Sequence, residues 1–105
     1  MQGMTGEEAL KVLAHSGEMY ARLIATNEYD GGIYKPDKID MQSPHLRDEI
    51  YIVISGHETF HCDGEDRAFE PGDMLFVPRG VEHRFGNFTS DFATWVVFFG
   101  AVRRD

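Results

Sequence analysis

The sequence predicts an all-β sandwich or barrel preceded by one short helix. Three observations carry this reading. Beyond residue 18 the apolar residues fall into short runs rich in β-branched and aromatic side chains, with Ile50-Tyr51-Ile52-Val53-Ile54 the clearest. Glycine and proline turns such as Gly31-Gly32, Asp63-Gly64 and Pro78-Arg79-Gly80 separate those runs. Helical periodicity is confined to the first 17 residues.

The elements follow in order. Thr5-Gly6-Glu7-Glu8 has the form of a capping box, in which the Thr5 hydroxyl takes the Glu8 amide and the Glu8 carboxylate reaches back. Ala9, Leu10, Leu13 and Ala14 continue at helical spacing until Ser16-Gly17 stop the run, with His15 placed to meet the last carbonyls. Strands are expected at Tyr20–Ala25, Gly31–Tyr34, Ile50–Ile54 and Thr59–His61. Asp63-Gly64 then reads as a tight hairpin turn. Met74–Val77, His83–Phe88 and Phe92–Phe99 complete the set. The expected organisation is a single domain, 1–105, with a helical segment over 1–17 and a β-barrel over 18–105.

Composition narrows the function classes. The chain has 105 residues, 42% of them hydrophobic, which is enough for a real core in one domain. A net charge of −8 argues against a nucleic-acid partner, because phosphate contacts need a basic patch, and the basic pair Arg103-Arg104 is followed by Asp105. No apolar run approaches the ~20 residues of a membrane span, and the first residues have neither a basic nor an apolar leader region. Cys62 is the sole cysteine, so an internal disulfide is ruled out. A soluble, cytoplasmic protein is expected.

Two segments carry chemistry. His45-Leu46-Arg47-Asp48-Glu49 leads into the strongest strand, and Gly72 to Asn87 reads as a strand, a Pro/Gly turn and a histidine that opens the next strand. Two imidazoles and a carboxylate, each beside a strand, are the parts of a metal site inside a barrel. The spacing His45-x3-Glu49-x6-Gly56 resembles the second half of the first cupin motif. Gly72-x5-Pro78-x-Gly80-x2-His83-x3-Asn87 is similar to the whole of the second. The resemblance covers about half of the chain. It implies a small jelly-roll barrel, often dimeric, with a divalent metal held by three histidines and a glutamate. The first motif departs from the pattern: Ser43 stands where its first histidine belongs, and Asp37 where a glycine belongs. The ligands carried over are therefore His45, Glu49 and His83. Such a set suits iron and also accepts zinc, manganese or nickel. Gln42, or a water on Ser43, is a candidate for the fourth position.

Other residues have plainer readings. Tyr51, Phe85 and Trp95 are candidates for a pocket beside the metal, with core packing as their default. His57 and His61 share a strand face, and a solvated edge outweighs a second metal site there. Cys62 reads as an inert thiol, Asp48 as a surface group, and Asn87 as a turn residue. Arg47, Arg79 and Arg84 are candidates to meet an anion. If Glu49, Tyr51 and Val53 face inward, Ile50, Ile52 and Ile54 face outward and need cover from the helix and from a second subunit. Two functions follow: a metal-dependent enzyme of dioxygenase or isomerase/lyase type acting on a small organic molecule, or a non-catalytic cupin that binds or senses one. No residue is assigned as catalytic.

Overall fold

A computed structural model describes residues 3–40 and 42–100, which leaves Arg103-Arg104 outside the described residues. Helix α1 (Gly6–Ser16) begins at the expected box. The Glu8 amide donates to the Thr5 hydroxyl at 3.1 Å, and the Thr5 amide donates to the Glu8 carboxylate at 3.0 Å. Gly17 ends the helix.

Eight strands follow: β1 (Tyr20–Ala25), β2 (Tyr29–Tyr34), β3 (Asp48–Ser55), β4 (Glu58–Cys62), β5 (Glu65–Phe69), β6 (Met74–Val77), β7 (His83–Gly86) and β8 (Ala93–Phe99). They form two antiparallel sheets, β1-β2-β8-β3-β6 and β5-β4-β7. The last strand lies between β2 and β3, the winding of a jelly roll. No hydrogen-bonded ladder joins the two sheets into a closed cylinder among the described strands.

Strand β5 has no counterpart in the sequence reading. Glu65, Asp66, Arg67 and Ala68 are exposed and only Phe69 is buried, so the apolar alternation that marks a half-buried strand is missing. The Asp63-Gly64 turn and the ladder from Cys62↔Glu65 to Glu58↔Phe69 place it instead. Charges on such an edge also discourage pairing with another chain. Strand β7 is shorter than expected, because Asn87 takes a left-handed φ of 48° and ends it.

Alternation along β3 sorts the side chains as anticipated. Glu49, Tyr51 and Val53 are buried, and Ile50, Ile52 and Ile54 face the other way. The inner faces of the two sheets enclose Tyr51, Val53, Phe60, Phe69, Leu75, Val77, Phe85, Phe92 and Val96. Outside the five-stranded sheet, Ala9 and Leu13 of α1 pack on Ile33, with Ala21, Leu23, Ile54 and Trp95 around them. The helix therefore covers one end of the outer apolar face and gains its own stability from that packing.

Gly56 sets the corner between β3 and β4. Its φ is 87°, and a Cβ there would lie 2.5 Å from the Phe92 Cα. Gly56→Ala adds left-handed strain and an overpacked contact, an expected loss of about 2–4 kcal/mol. A chemical-denaturation midpoint equal to that of the parent protein would contradict this.

Candidate metal centre

Three side chains converge between the sheets. His45 precedes β3, Glu49 is the second residue of β3, and His83 opens β7. One ligand atom from each lies within 4.8 Å of the others. Four residues of straight strand would hold His45 roughly 13 Å from Glu49 along the chain. A bend at Leu46-Arg47 brings the ring back, so that His45 Nδ1 lies 2.9 Å from Glu49 Oε1. Arg47 secures the bend. Its guanidinium donates to the Gly100 carbonyl at 3.0 Å, the Asp30 carboxylate at 2.8 Å, and the Glu28 and Phe98 carbonyls. Sequence reading offered Arg47 to an anionic ligand; the fold commits it to holding the ligand segment.

The turn before His83 is tied to the same segment. The Gly80 amide donates to the His45 carbonyl at 2.7 Å, and the Arg79 amide to the Asp48 carboxylate at 2.8 Å. His83 Nδ1 lies 2.9 Å from the Val81 carbonyl. A carbonyl only accepts, so Nδ1 carries a proton, and the ring in its neutral form presents the Nε2 lone pair to the site.

The donor set fits a divalent cation. Glu49 has no exposed surface, and its Oε2 lacks a hydrogen-bond partner. His83 Nε2 lies 2.7 Å from Glu49 Oε1, yet it is not aligned to donate to that oxygen and also lacks a hydrogen bond. Buried polar atoms are nearly always satisfied, and leaving one unmet costs about 1–3 kcal/mol. Two orphaned atoms on residues whose ligand atoms, with that of His45, lie within 4.8 Å of one another are what a bound cation would satisfy.

Beside the triad lies a cavity of about 320 Å³ lined by Tyr20, Tyr34, Gln42, His45, Tyr51, Val96 and Phe98. A hydrogen-bond network stiffens one wall. Tyr34 donates to Asp40 at 2.6 Å, the Gln42 amide nitrogen donates to Asp40 at 2.8 Å, and the Phe85 amide donates to Asp40 at 2.8 Å. Tyr51 donates to the Gln42 amide oxygen at 2.9 Å. Burial first, then the neighbouring Asp40, pushes the Tyr34 phenol far above its usual range. Burial does the same to Tyr51.

The sequence-predicted residues are thus distributed unevenly. His45, Glu49 and His83 come together. Gln42 reaches the cavity with both ends of its amide engaged, so its oxygen is bound to Tyr51. Ser43 is exposed and does not line the cavity. Tyr51 is a wall residue, and Phe85 sits behind it in the aromatic core, ring centroids 4.9 Å apart. Trp95 points to the outer face, under the helix, because it alternates with the inward Val96. His61 is bonded to Asp66 and His57 is exposed beside Glu58. Cys62 sits opposite His83 in the β4–β7 ladder; burial and then nearby carboxylates raise its thiol. Sequence reading missed Asp40, Tyr20, Tyr34 and Phe98. The cross-strand pair Tyr20↔Tyr34 was the available signal, but only with the register known.

Comparison with known proteins agrees with this architecture. Residues 33–99 match the cupin domain family, and the chain belongs to it. An uncharacterized protein of Streptomyces coelicolor is 32% identical over 81 residues, 75% of this chain and 77% of that protein. The acireductone dioxygenase of Bacillus cytotoxicus is 41% identical over 46 residues, but these make up 39% of this chain and 27% of the enzyme. Among solved structures, KdgF from Halomonas sp. superposes with a TM-score of 0.67 at 22% identity, covering 82% of this chain and 81% of that one. The last likeness is one of fold.

The metal-free site has a defined pH response. Burial alone would raise the Glu49 pKa, but its contacts with His45 and His83 outweigh burial and hold the carboxyl below the usual range. Burial alone would lower the His83 pKa, but Glu49 and the Val81 carbonyl outweigh it and raise the ring. Glu49 therefore contributes stability above its unfolded pKa of about 4.3 and loses it as pH falls through its depressed folded value. His83 contributes below its unfolded pKa of about 6.5 and loses it as pH rises through its raised folded value. Raising the pH from about 6 to about 9 should lower the denaturation midpoint of the metal-free protein and strengthen zinc binding, which must displace the His83 proton. A midpoint that rises over that interval would show His83 to be neutral throughout.

Proposed function

We propose that this protein is a metal-dependent cupin in which His45, Glu49 and His83 hold one divalent ion, and that it acts on a small organic molecule in the adjoining cavity. The observation that carries the reading is the fully buried Glu49, whose Oε2 is orphaned beside two converging imidazoles. Two histidines and one carboxylate leave coordination positions open; when bound, iron would supply dioxygen chemistry, and zinc, manganese or nickel would supply Lewis-acid polarisation.

The chain's own residues favour the oxygenase branch. An isomerase or lyase needs a protein group to move a proton. Of the cavity's polar side chains, Tyr34, Tyr51 and Gln42 are already engaged, Asp40 behind them accepts three hydrogen bonds, and the remaining Tyr20 is a phenol that burial makes a weaker acid than usual. The partial match to acireductone dioxygenase supports the same branch. In this reading Tyr51, Gln42 and Asp40 hold the wall in place, and Val96 and Phe98 keep water from the reacting face. Elemental analysis of the purified protein, followed by oxygen uptake with small enolisable substrates, tests it. His83→Ala is expected to reduce bound metal from about one ion per chain to near zero, with the β-sheet circular dichroism retained. Unchanged metal content in that variant would sink the assignment.

A homodimer is part of the proposal. Outside the area covered by the helix, Met74 is 65% exposed and Phe76 54% exposed, beside Ile50 and Ile52. An apolar groove of about 600 Å³ runs along the same outer face past Ile52, Trp95 and Val97. A continuous apolar face of this kind is best covered by a second copy. Ile52→Glu is expected to shift the protein to monomer in sedimentation at micromolar concentration; a parent protein that already sediments as a monomer would rule the dimer out.

A further inference from the structure

We infer that the cavity beside the triad takes a small, uncharged molecule with an apolar body and neighbouring oxygens, and that the Tyr20 hydroxyl is the protein's hydrogen bond to it. The inference rests on the metal reading only for the oxygens that would face the ion; the charge and the role of Tyr20 follow from the walls.

Among the described residues no lysine or arginine lines the cavity. Arg47, close by, is held by Asp30 and three backbone carbonyls. Asp40 and Glu49 are buried carboxylates on the same side of the protein. A phosphate or sulfate entering here would lose its hydration without gaining a lysine or arginine, and two negative groups would oppose it. The remaining surface is Val96, Phe98 and the faces of tyrosine rings, which suits an apolar body.

The polar atoms narrow the choice of anchor. Tyr34 spends its proton on Asp40, Tyr51 spends its proton on Gln42, and Gln42 gives one of its two amide protons to Asp40. Both phenols are therefore used up as donors, and Gln42 keeps one N–H on an amide that is fixed at both ends. Tyr20 lines the same space and makes no such bond among the described residues. Its ring is set edge-on to Phe98, with centroids 6.2 Å apart, and Phe98 is in turn 5.0 Å from the His45 ring. A molecule on Phe98 would thus have His45 on one side and the Tyr20 phenol on the other. The pose of Tyr20 depends on Gly32: a Cβ at that position would lie 2.6 Å from the Tyr20 Cε1 and 2.8 Å from its hydroxyl. Glycine at 32 leaves room for the phenol to lie across the strand, so the position of this donor is built into the sheet.

Calorimetric titration of the full chain, metal-free and zinc-loaded, tests the assignment. The probes are the cyclic hydroxyketone adipoin and its phosphate ester, which share a body and differ in charge. Adipoin is expected to bind both forms, more tightly with zinc. Tyr20→Phe, which keeps the ring and its packing, is expected to weaken adipoin binding about three- to tenfold. The phosphate ester is expected to bind the metal-free protein at least about tenfold more weakly than adipoin. Absence of adipoin binding, equal affinity in Tyr20→Phe, or a phosphate ester that binds the metal-free protein as well as adipoin does would each overturn it. Zinc content is measured separately by elemental analysis. A chain that takes up no zinc but binds adipoin through Tyr20 would remove the metal reading and leave the cavity assignment standing.

Discussion

A carboxylate with no exposed surface governs the construction of this protein. Glu49 lies on the penultimate strand of the larger sheet, paired on both sides with Val77 and Phe98, and has no surface exposed to water. A buried charge is tolerable only when paired, and removing one member of such a pair costs about 3–5 kcal/mol. The two imidazoles therefore stabilise the carboxylate in the folded chain, whatever chemistry they also serve. They come from separate places, one before β3 and one at the start of β7, so the chain must bring two connections to the same point.

The hydrogen bonds around those connections show how this is done. Arg47 ties the bend after His45 to the carbonyls at the ends of β2 and β8. The backbone of Gly80 and Arg79 then ties the turn before His83 to the same bend. The Pro78–Gly80 turn is thus fastened to the His45 segment directly, by hydrogen bonds as well as through the packing of the sheets. Asp40 adds a third connection. It collects Tyr34 of β2, Gln42 of the following segment and the Phe85 amide of β7, and so joins the larger sheet to the smaller one beside the cavity. Each partner is a donor, so the carboxylate is satisfied despite its burial. The same bonds leave the cavity wall with few free polar groups, which gives the site its apolar character.

Position 43 illustrates how a family pattern and a particular chain can diverge. The spacing suggests that histidine there would complete the ligand set. In this chain the segment after Asp40 is pulled inward at Gln42, and Ser43 turns out to solvent. The wall around Gln42 is built for hydrogen bonding to Tyr51, and the neighbouring residue has no place in it. Where the pattern has a histidine, this chain has Tyr51 and Gln42 coupled beside the triad.

Local signals determined much of this protein. The capping box, the Asp63-Gly64 hairpin and the inward run of Glu49, Tyr51 and Val53 depend on neighbours along the chain, and short-range physics shows through in the residue order. The candidate trio His45, Glu49 and His83 was legible for a related reason, since two fixed spacings place each member beside a strand. Other features depended on which strands pair. Strand β5 has almost no apolar alternation and exists through its register with β4. Trp95 looked like a pocket residue until β8 was seen between β2 and β3, where its alternate face meets the helix. Arg47 looked available to a ligand until the ends of β2 and β8 were brought around it. The cavity is formed by Tyr20, Tyr34, Gln42, Tyr51 and Phe98, which are far apart in sequence. Its charge, its free donor and its size were therefore decided by tertiary structure, because strand pairing alone sets which of these side chains share a face.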